Sequence, residues 1–510
     1  MRFNYKYKKI FLLLRKLALF YVGYGFFLIA FADKTPVSAV TTNNYFLRAD
    51  YFSLRVPDDQ PRLSLVGLHL AKQFSSGFYL GSGLYSAVAG QYSGFFALGG
   101  EAGWQHLIWR QLGFDTGLFV GTGGGSNTAS FIGDGGFVLP HAGFFYRFPY
   151  FDLGLNYSGI RFQGGQVSSQ QVQFALTCPF QLYTKNKTRI FSEKIPFACS
   201  KNYIAAVASI YYPQHSQFSN GQALVNNTEL LGIELGHFFT DHIYNYFEFT
   251  GAIHGNQNGY ANFFAGVGWQ QLLGNNHFFY SPRLALGSGG GGGYDVGGGL
   301  LIYPTLGLGW QFVPHWQLEI LPGYVSSFTG HYQAWTTELQ LKYDFNIAVP
   351  SNKQMNAIED FSYQAWRLRF GNQLYIHPQH ENSLSNSNIN LLALKIDRFF
   401  ETNWYLSGQT AFAYSGNAAG YFSGMLGGGY QTKDYYHLSL FAEGLMGTGG
   451  GASLAIQDGA LSQLGMGLNY HINPSLGFYS EISEVLAFKG GFNTVTIDLG
   501  LSYSFDLLTS

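Results

Sequence analysis

Gly447-Thr448-Gly449-Gly450-Gly451 decides the fold, because the chain contains this stretch three times. The other copies are residues 121–125 and, with serine in the second position, residues 287–291. The three copies start 166 and 160 residues apart, and a second motif keeps nearly the same step: Trp104-Gln105, Trp269-Gln270 and Tyr430-Gln431. A period this long predicts three copies of one structural unit.

The composition of the 510-residue chain favours β-strands. Charged residues make up only 11%, aromatic residues 18%, and glycine occurs 67 times. A disordered chain would be poor in aromatic residues, and a helical chain would be dominated by Ala, Leu, Glu and Lys. Gly, Tyr, Phe, Ser and Thr instead suit many short strands joined by tight turns. The formal net charge of −1 offers no basic surface for nucleic acid.

Residues 1–32 have the pattern of a secretory signal peptide. A basic start precedes an apolar run over residues 17–30, and Ala30-Phe31-Ala32 supplies small residues for cleavage. The run is shorter than the roughly 20 residues that a membrane helix needs, although an uncleaved anchor is the alternative if the run is counted from Ile10. The later sequence offers no second apolar stretch of that length, so the mature chain is either soluble or meets a membrane through strands.

Each unit contains about eight segments close to the roughly 9–11 residues that a tilted transmembrane strand requires. In the last of them an apolar set alternates with a polar set: Val495, Ile497, Leu499, Leu501, Tyr503 and Phe505 against Thr494, Thr496, Asp498, Gly500, Ser502 and Ser504. A period of two predicts a sheet with one apolar face. In lipid such strands must close into a barrel. A soluble β-sandwich or barrel is the alternative.

Short turns alternate with longer loops that hold all three glycine runs, which is typical of bacterial outer-membrane barrels. The predicted fold is therefore all-β, a transmembrane antiparallel up-and-down β-barrel built from three repeats of about eight strands. The predicted segments are a signal peptide at 1–32, repeat 1 at 44–183, a linker at 184–200, repeat 2 at 201–345, a linker at 346–360 and repeat 3 at 361–510.

The terminal stretch 498–505, Asp-Leu-Gly-Leu-Ser-Tyr-Ser-Phe, resembles the assembly signal of Gram-negative outer-membrane β-barrel proteins. The matching positions are Asp498, Gly500, Tyr503 and Phe505, and the five residues that follow depart from the pattern. The resemblance implies insertion by the outer-membrane assembly machinery, a location in the outer membrane, and contact with its lipids and lipopolysaccharide. It implies no activity.

Three units can form three small barrels or one barrel of about 24 strands. A wide barrel encloses an aqueous or plugged lumen, and this chain has few charges to line one. The long linkers also fall only at the unit boundaries, where separate barrels would need slack. The single complete assembly signal argues for one barrel, but three small barrels are favoured.

The two cysteines, Cys178 and Cys199, flank the first predicted linker. In an oxidising periplasm an even count favours a disulfide. Closing a loop of this size would stabilise the fold by roughly 3 kcal/mol in the chain-entropy model. Two free thiols on diverging strands are the alternative.

Charged residues at inward positions predict a polar network in the interior. Because buried charges need partners, we interpret these side chains as packing contacts, with an ion path as the alternative. One position of the repeat holds a different residue in each copy, and four more residues share its parity: His69, Glu234 and Lys395, with Glu248, Lys342, Glu443 and Asp498.

No catalytic, cofactor-binding or metal-ligating set is predicted. The glycine runs lack the lysine of a phosphate-binding loop, and residues 290–296 match a calcium-binding glycine–aspartate unit only in part, so turn chemistry is the simpler interpretation. His215 resembles a lipase element at the wrong spacing. By elimination, the sequence predicts a non-enzymatic structural or surface-interaction protein whose extracellular ligand is unknown. A porin-like pore for small solutes and a lipid-modifying hydrolase are the alternatives.

Overall fold

The computed structural model describes residues 40–58, 60–125, 128–185, 197–255, 259–274, 277–350, 362–381 and 387–509. The predicted signal peptide lies outside the described residues, as does most of each predicted linker. Among the described residues, no helix is long and apolar enough to cross a membrane. In the described part of the chain, one short helix, α1 (Ala129–Ile132), accompanies 25 β-strands.

The first eight strands form a hydrogen-bonded ring, which we call ring 1. They are β1 (Val40–Leu54), β2 (Leu63–Gln73), β3 (Phe78–Ala89), β4 (Phe96–Trp109), β5 (Leu112–Gly124), β6 (Gly136–Arg147), β7 (Asp152–Phe162) and β8 (Ser168–Lys185). Each strand pairs antiparallel with the next. The first strand also pairs with the last, from Val40 opposite Lys185 to Phe52 opposite Gln173.

The next nine strands form ring 2. They are β9 (Phe197–Pro213), β10 (Thr228–Phe238), β11 (Ile243–His254), β12 (Ala261–Trp269), β13 (Gln271–Leu273), β14 (Phe278–Gly290), β15 (Leu300–Val313), β16 (Trp316–Ser327) and β17 (Gln333–Pro350). The three-residue strand β13 continues β12 along β14, so eight ladders result. This ring closes where β17 pairs with β9, from Ala334 opposite Pro213 to Pro350 opposite Phe197.

The last eight strands form ring 3. They are β18 (Ser362–Ile376), β19 (Ile389–Phe399), β20 (Trp404–Ser415), β21 (Phe422–Gln431), β22 (Leu438–Gly450), β23 (Ala460–His471), β24 (Leu476–Ala487) and β25 (Asn493–Thr509). Strand β18 pairs with β25 over its full length, from Ser362 opposite Thr509 to Ile376 opposite Val495. The prediction of an all-β antiparallel barrel protein is confirmed.

Side chains alternate between a buried inner face and an exposed outer face. On β17, Glu338, Gln340 and Lys342 are buried, whereas Trp335 and Leu339 are exposed. On β8, the exposed positions include Val172, Phe174 and Leu176. Outward apolar side chains on closed strands are what contact with lipid hydrocarbon requires.

The predicted linkers are too long, because strands extend into both of them. Strand β8 continues to Lys185, β9 begins at Phe197, and β17 continues to Pro350. The ends of these strands pair between rings as well as within them, with Leu507 opposite Thr184 and Ile347 opposite Thr509. A partner strand therefore holds these residues extended even where the sequence does not alternate.

Candidate functional site

The interior of ring 3 is filled by ion pairs around Lys395. Its Nζ lies 2.9 Å from a Glu443 oxygen, 2.6 Å from Glu481 and 3.2 Å from Asp498. Arg369 from β18 also reaches Glu443, with its Nη2 at 2.5 Å from the carboxylate. These side chains are almost completely buried, so each charge is stabilised by its partners and not by water.

The interior of ring 1 uses histidine at the equivalent place. His69 lies between two carboxylates, with Nε2 at 3.4 Å from Asp50 and Nδ1 at 3.3 Å from Glu101. Arg48 donates to Asp115 at 2.9 Å. The packing arrangement is the same as in ring 3, a cationic or titratable base among acids, although the residues differ.

The interior of ring 2 has an acid, and not a base, at the equivalent position. Glu234, at the position of His69 and Lys395, accepts hydrogen bonds from Arg283 and, at 2.6 Å, from the Tyr203 hydroxyl. Arg283 also lies 3.7 Å from Glu248. Lys342 forms an ion pair with Glu319.

All seven predicted interior residues are buried, but the structure separates them into three clusters, one in each ring. Lys395, Glu443 and Asp498 lie together, Glu234 and Glu248 share Arg283, and Lys342 contacts a different acid. Several of their partners were not predicted: Asp50, Glu101, Arg283, Glu319, Arg369 and Glu481. Their inward parity was readable from the sequence, but the pairings across the interior were not.

The three glycine runs lie where the rings meet. The hydroxyl in the second position of each run donates to a backbone carbonyl of another ring: Thr122 to Ala413, Thr448 to Ala252, and Ser288 to Ala87. The direction is cyclic, from ring 1 to ring 3, from ring 3 to ring 2, and from ring 2 to ring 1. We call the three contact zones seams.

Glycine is required at the seams because backbone meets backbone. A Cβ atom added at Gly94 would overlap the backbone nitrogen of Gly291, and one added at Gly124 would overlap that of Gly420. In the third seam a Cβ at Gly259 would lie 3.1 Å from the nitrogen of Gly451. The glycine runs therefore serve a contact between rings, in addition to turning the chain.

An apolar cluster fills the space between the seams. The Phe249 ring of ring 2 lies 6.5 Å from Phe96 of ring 1 and 6.5 Å from Phe422 of ring 3, edge to face in both cases. Phe96 and Phe422 are buried with Leu98, Ala261 and Phe412. This packing is that of a protein core, so the three rings share one apolar centre.

At the short-turn end, two seams pair a basic side chain with a tyrosine. Lys72 of ring 1 donates to the Tyr503 hydroxyl of ring 3 at 3.1 Å. Arg398 of ring 3 lies 5.1 Å from the centre of the Tyr343 ring in ring 2. By the repeat spacing, the third seam has His237 and Cys178 at these positions.

The predicted assembly signal is divided between the interior and a seam. Asp498 points inward to Lys395, whereas Tyr503 contacts ring 1 and stacks on Phe505 at 5.8 Å. Gly500 packs against the Tyr479 ring, where a Cβ would collide.

The predicted disulfide is wrong: Cys178 and Cys199 are both free and exposed. Cys178 lies in β8 of ring 1, opposite Leu47, and Cys199 lies in β9 of ring 2, opposite Ala348. Each cysteine is held by the ladder of a different ring, and proximity to one linker does not bring their Cβ atoms within bonding reach.

No protein-family model matches the chain, and no curated protein matches it. Solved structures do match. OccK11 (OpdR) of Pseudomonas aeruginosa shares 12% identity over 94% of this chain and 100% of its own, with a TM-score of 0.23. A mutant of the ferric enterobactin receptor PfeA of the same species shares 10% over 92% and 81%, with a TM-score of 0.27. The siderophore receptor PirA of Acinetobacter baumannii shares 8% over 92% and 81%, with a TM-score of 0.28.

The class of this chain follows from its strand pairings, from its apolar outer face and from the resemblance of residues 498–505 to the assembly signal of outer-membrane β-barrel proteins. It is a β-barrel protein of the Gram-negative outer membrane.

Proposed function

We propose that this protein is a structural, non-enzymatic outer-membrane protein in which three eight-stranded barrels act as one unit and display loops to the exterior. The observation that carries the proposal is the cycle of hydroxyl-to-carbonyl hydrogen bonds from Thr122, Thr448 and Ser288. Each barrel contributes one donor and one acceptor, so all three are needed to complete the cycle.

The three-barrel organisation is supported by the closing ladders. Strand β1 returns to β8, β9 to β17, and β18 to β25, each over 13 or more residue pairs. The contacts between β17 and β25 and between β25 and β8 involve a single residue pair each. The ladders therefore favour three closures over one wide circuit, with ring bounds close to the predicted repeats.

A structural role is favoured over a pore because ion pairs occupy the interiors. An eight-stranded barrel has an interior just wide enough for side chains to fill. Here Arg48, Arg283, Arg369 and Lys395 all pair with acids inside their rings. The sequence and the described residues offer no Ser/His/acid set that would favour a hydrolase over this role.

The orientation in the membrane follows from the turns and the tryptophans. Seven of the eight tryptophans lie at the short-turn ends of strands: Trp104, Trp109, Trp269, Trp310, Trp316, Trp366 and Trp404. Aromatic girdles mark both membrane interfaces in outer-membrane barrels, so these tryptophans indicate an interface at the short-turn end. Since such barrels have short periplasmic turns and longer extracellular loops, the short turns face the periplasm in this proposal, and the glycine runs lie toward the exterior.

Conductance in planar bilayers tests the structural role against the pore. We expect the purified full chain to insert without stable conductance steps, because paired charges block each interior. Arg369→Ala is the comparison, since it removes the guanidinium that bridges Asp397 and Glu443. Large, stable steps from the unmodified chain would establish a channel and refute the structural role.

A second experiment tests the number of barrels. Residues 361–510 are expressed behind the signal peptide, and folding is followed by the shift in gel mobility on heating. A compact, heat-modifiable band is expected if ring 3 closes on itself. A fragment that never folds, when the full chain does, would favour one large barrel.

A further inference from the structure

Three glutamates converge inside ring 2. Glu234, Glu248 and Glu338 lie on β10, β11 and β17, and each offers a carboxylate oxygen within 4.8 Å of the other two. All three side chains are buried. Carboxylates brought this close in an interior repel one another unless a positive species neutralises them.

The hydrogen bonds of this cluster leave oxygens unused. Gln340 donates through Nε2 to Glu234 at 3.0 Å and to Glu338 at 2.5 Å. Neither oxygen of Glu248 has a hydrogen-bond donor among the described residues, and its contact with Arg283 is long, at 3.7 Å.

The charges of ring 2 do not balance. Its buried charged side chains are four carboxylates and two cations: Glu234, Glu248, Glu319 and Glu338, with Arg283 and Lys342. Lys342 pairs with Glu319, which leaves three carboxylates with one guanidinium. With all three carboxylates ionised the remaining excess is two negative charges, which one divalent cation or two bound protons would cancel.

The other two rings show how this place in the repeat is normally neutralised. Ring 3 has Lys395 there, in contact with three carboxylates, and ring 1 has His69 between two. Ring 2 has Glu234 instead, so the positive charge that the other copies supply from a side chain at this position is missing.

We propose that ring 2 binds one calcium ion through carboxylate oxygens of Glu234, Glu248 and Glu338. All three ligands are hard oxygen donors, which calcium prefers, and calcium accepts the irregular geometry of a packed interior better than magnesium does. The ion would enter as the ring closes, because the site lies among buried side chains. This inference does not depend on the proposed structural role.

The test uses the full chain refolded from denaturant into detergent free of lipopolysaccharide, which itself binds divalent cations. One sample is refolded with calcium chloride and one with EDTA, and both are passed through gel filtration. Elemental analysis by mass spectrometry is expected to find about one calcium per chain in the first sample. Calcium should also raise the midpoint of thermal unfolding relative to EDTA.

Glu248→Gln is the decisive variant, because it removes the carboxylate whose oxygens accept no hydrogen bond from the described residues. This variant should bind no calcium, and its midpoint of thermal unfolding should be the same in calcium and in EDTA. In EDTA that midpoint should equal or exceed the midpoint of the unmodified chain. Glu229→Gln, on the same ring but half-exposed, is the matched control and should retain one calcium.

Three results would overturn the proposal. The first is a folded, unmodified chain that carries no calcium after refolding with it. The second is calcium that survives Glu248→Gln, which would mean an adventitious ion only. The third is an equal loss of calcium in Glu229→Gln. If Glu248→Gln does not fold, the comparison of calcium with EDTA on the unmodified chain decides.

Discussion

The interiors of the rings and the seams between them differ in how much sequence variation they show among the three copies. At the equivalent interior position the three copies have His69, Glu234 and Lys395, each satisfied by different partners. At the seams the copies keep the same small residues, because the contact is made by backbone atoms. An interior tolerates divergence when the surrounding side chains differ as well, whereas a backbone contact tolerates almost none.

Breaking an interior cluster should have the largest effect. Lys395→Met leaves Glu443, Glu481 and Asp498 facing one another without their shared cation. Losing one partner of a buried ion pair costs about 3–5 kcal/mol. We therefore expect the variant to unfold at a lower urea concentration than the unmodified chain. Unfolding is measured by the loss of the heat-modifiable band on gels. His254→Gln, which breaks the half-exposed pair between His254 and Glu229, is the control. Equal losses would mean that burial does not set the cost.

A smaller effect is expected from crowding a seam. Gly124→Ala places a methyl group against the backbone of Gly420 in ring 3. Overpacking of this kind costs about 1–3 kcal/mol. The midpoint of thermal unfolding, followed by circular dichroism, should fall accordingly. Gly491→Ala adds the same methyl group where nothing lies within 4 Å and should be near neutral. A neutral Gly124→Ala would show that the seam is loose.

Removing one seam hydroxyl should cost less. Thr448→Val keeps the shape of the side chain and deletes the hydrogen bond to the Ala252 carbonyl. A buried hydrogen bond contributes about 1 kcal/mol. Amide hydrogen exchange should accelerate at the loop ends of rings 2 and 3, and Ser288→Ala should produce the same change between rings 1 and 2. Unchanged hydrogen exchange in both variants would mean that the hydroxyl-to-carbonyl hydrogen bonds do not stabilise the seams.

The smallest expected effect is a gain. Cys178→Tyr introduces, at the position that corresponds to Tyr343 and Tyr503 by the repeat spacing, the aromatic residue that the other two seams have. An aromatic contact of this kind is worth about 0.5–1.5 kcal/mol. A small rise in the thermal midpoint by scanning fluorimetry is expected, and Cys199→Tyr, away from that position, should show none. A fall in Cys178→Tyr alone would mean that the third seam is built differently.

Much of the fold was predictable because it depends on local properties. Alternation in residues 494–505 predicted the inner and outer faces of the last strand. The strand ends at Lys185 and Pro350 were missed, because pairing with a distant strand holds them extended. Local sequence contains no information on such a partner.

The contacts of the candidate sites were much less predictable. The parity of Glu443 and Lys395 placed both in the interior, but their contact depends on strands that face each other across ring 3. The role of the glycine runs was also missed. Gly94, Gly259 and Gly420 recur at the step of the runs, and this was the available signal. What they touch depends on how the rings are arranged, which no single repeat encodes.

The covalent continuity of the three rings changes what a mutation can do. In a homotrimer, association depends on the density of protomers in the membrane, and every substitution appears in all three contacts. Here the partners are tethered, so their effective concentration is fixed by the linkers. A substitution also changes one contact at a time. Cys178 illustrates this freedom: one seam has cysteine where the other two have Tyr343 and Tyr503, while all three seams keep a hydroxyl-to-carbonyl hydrogen bond.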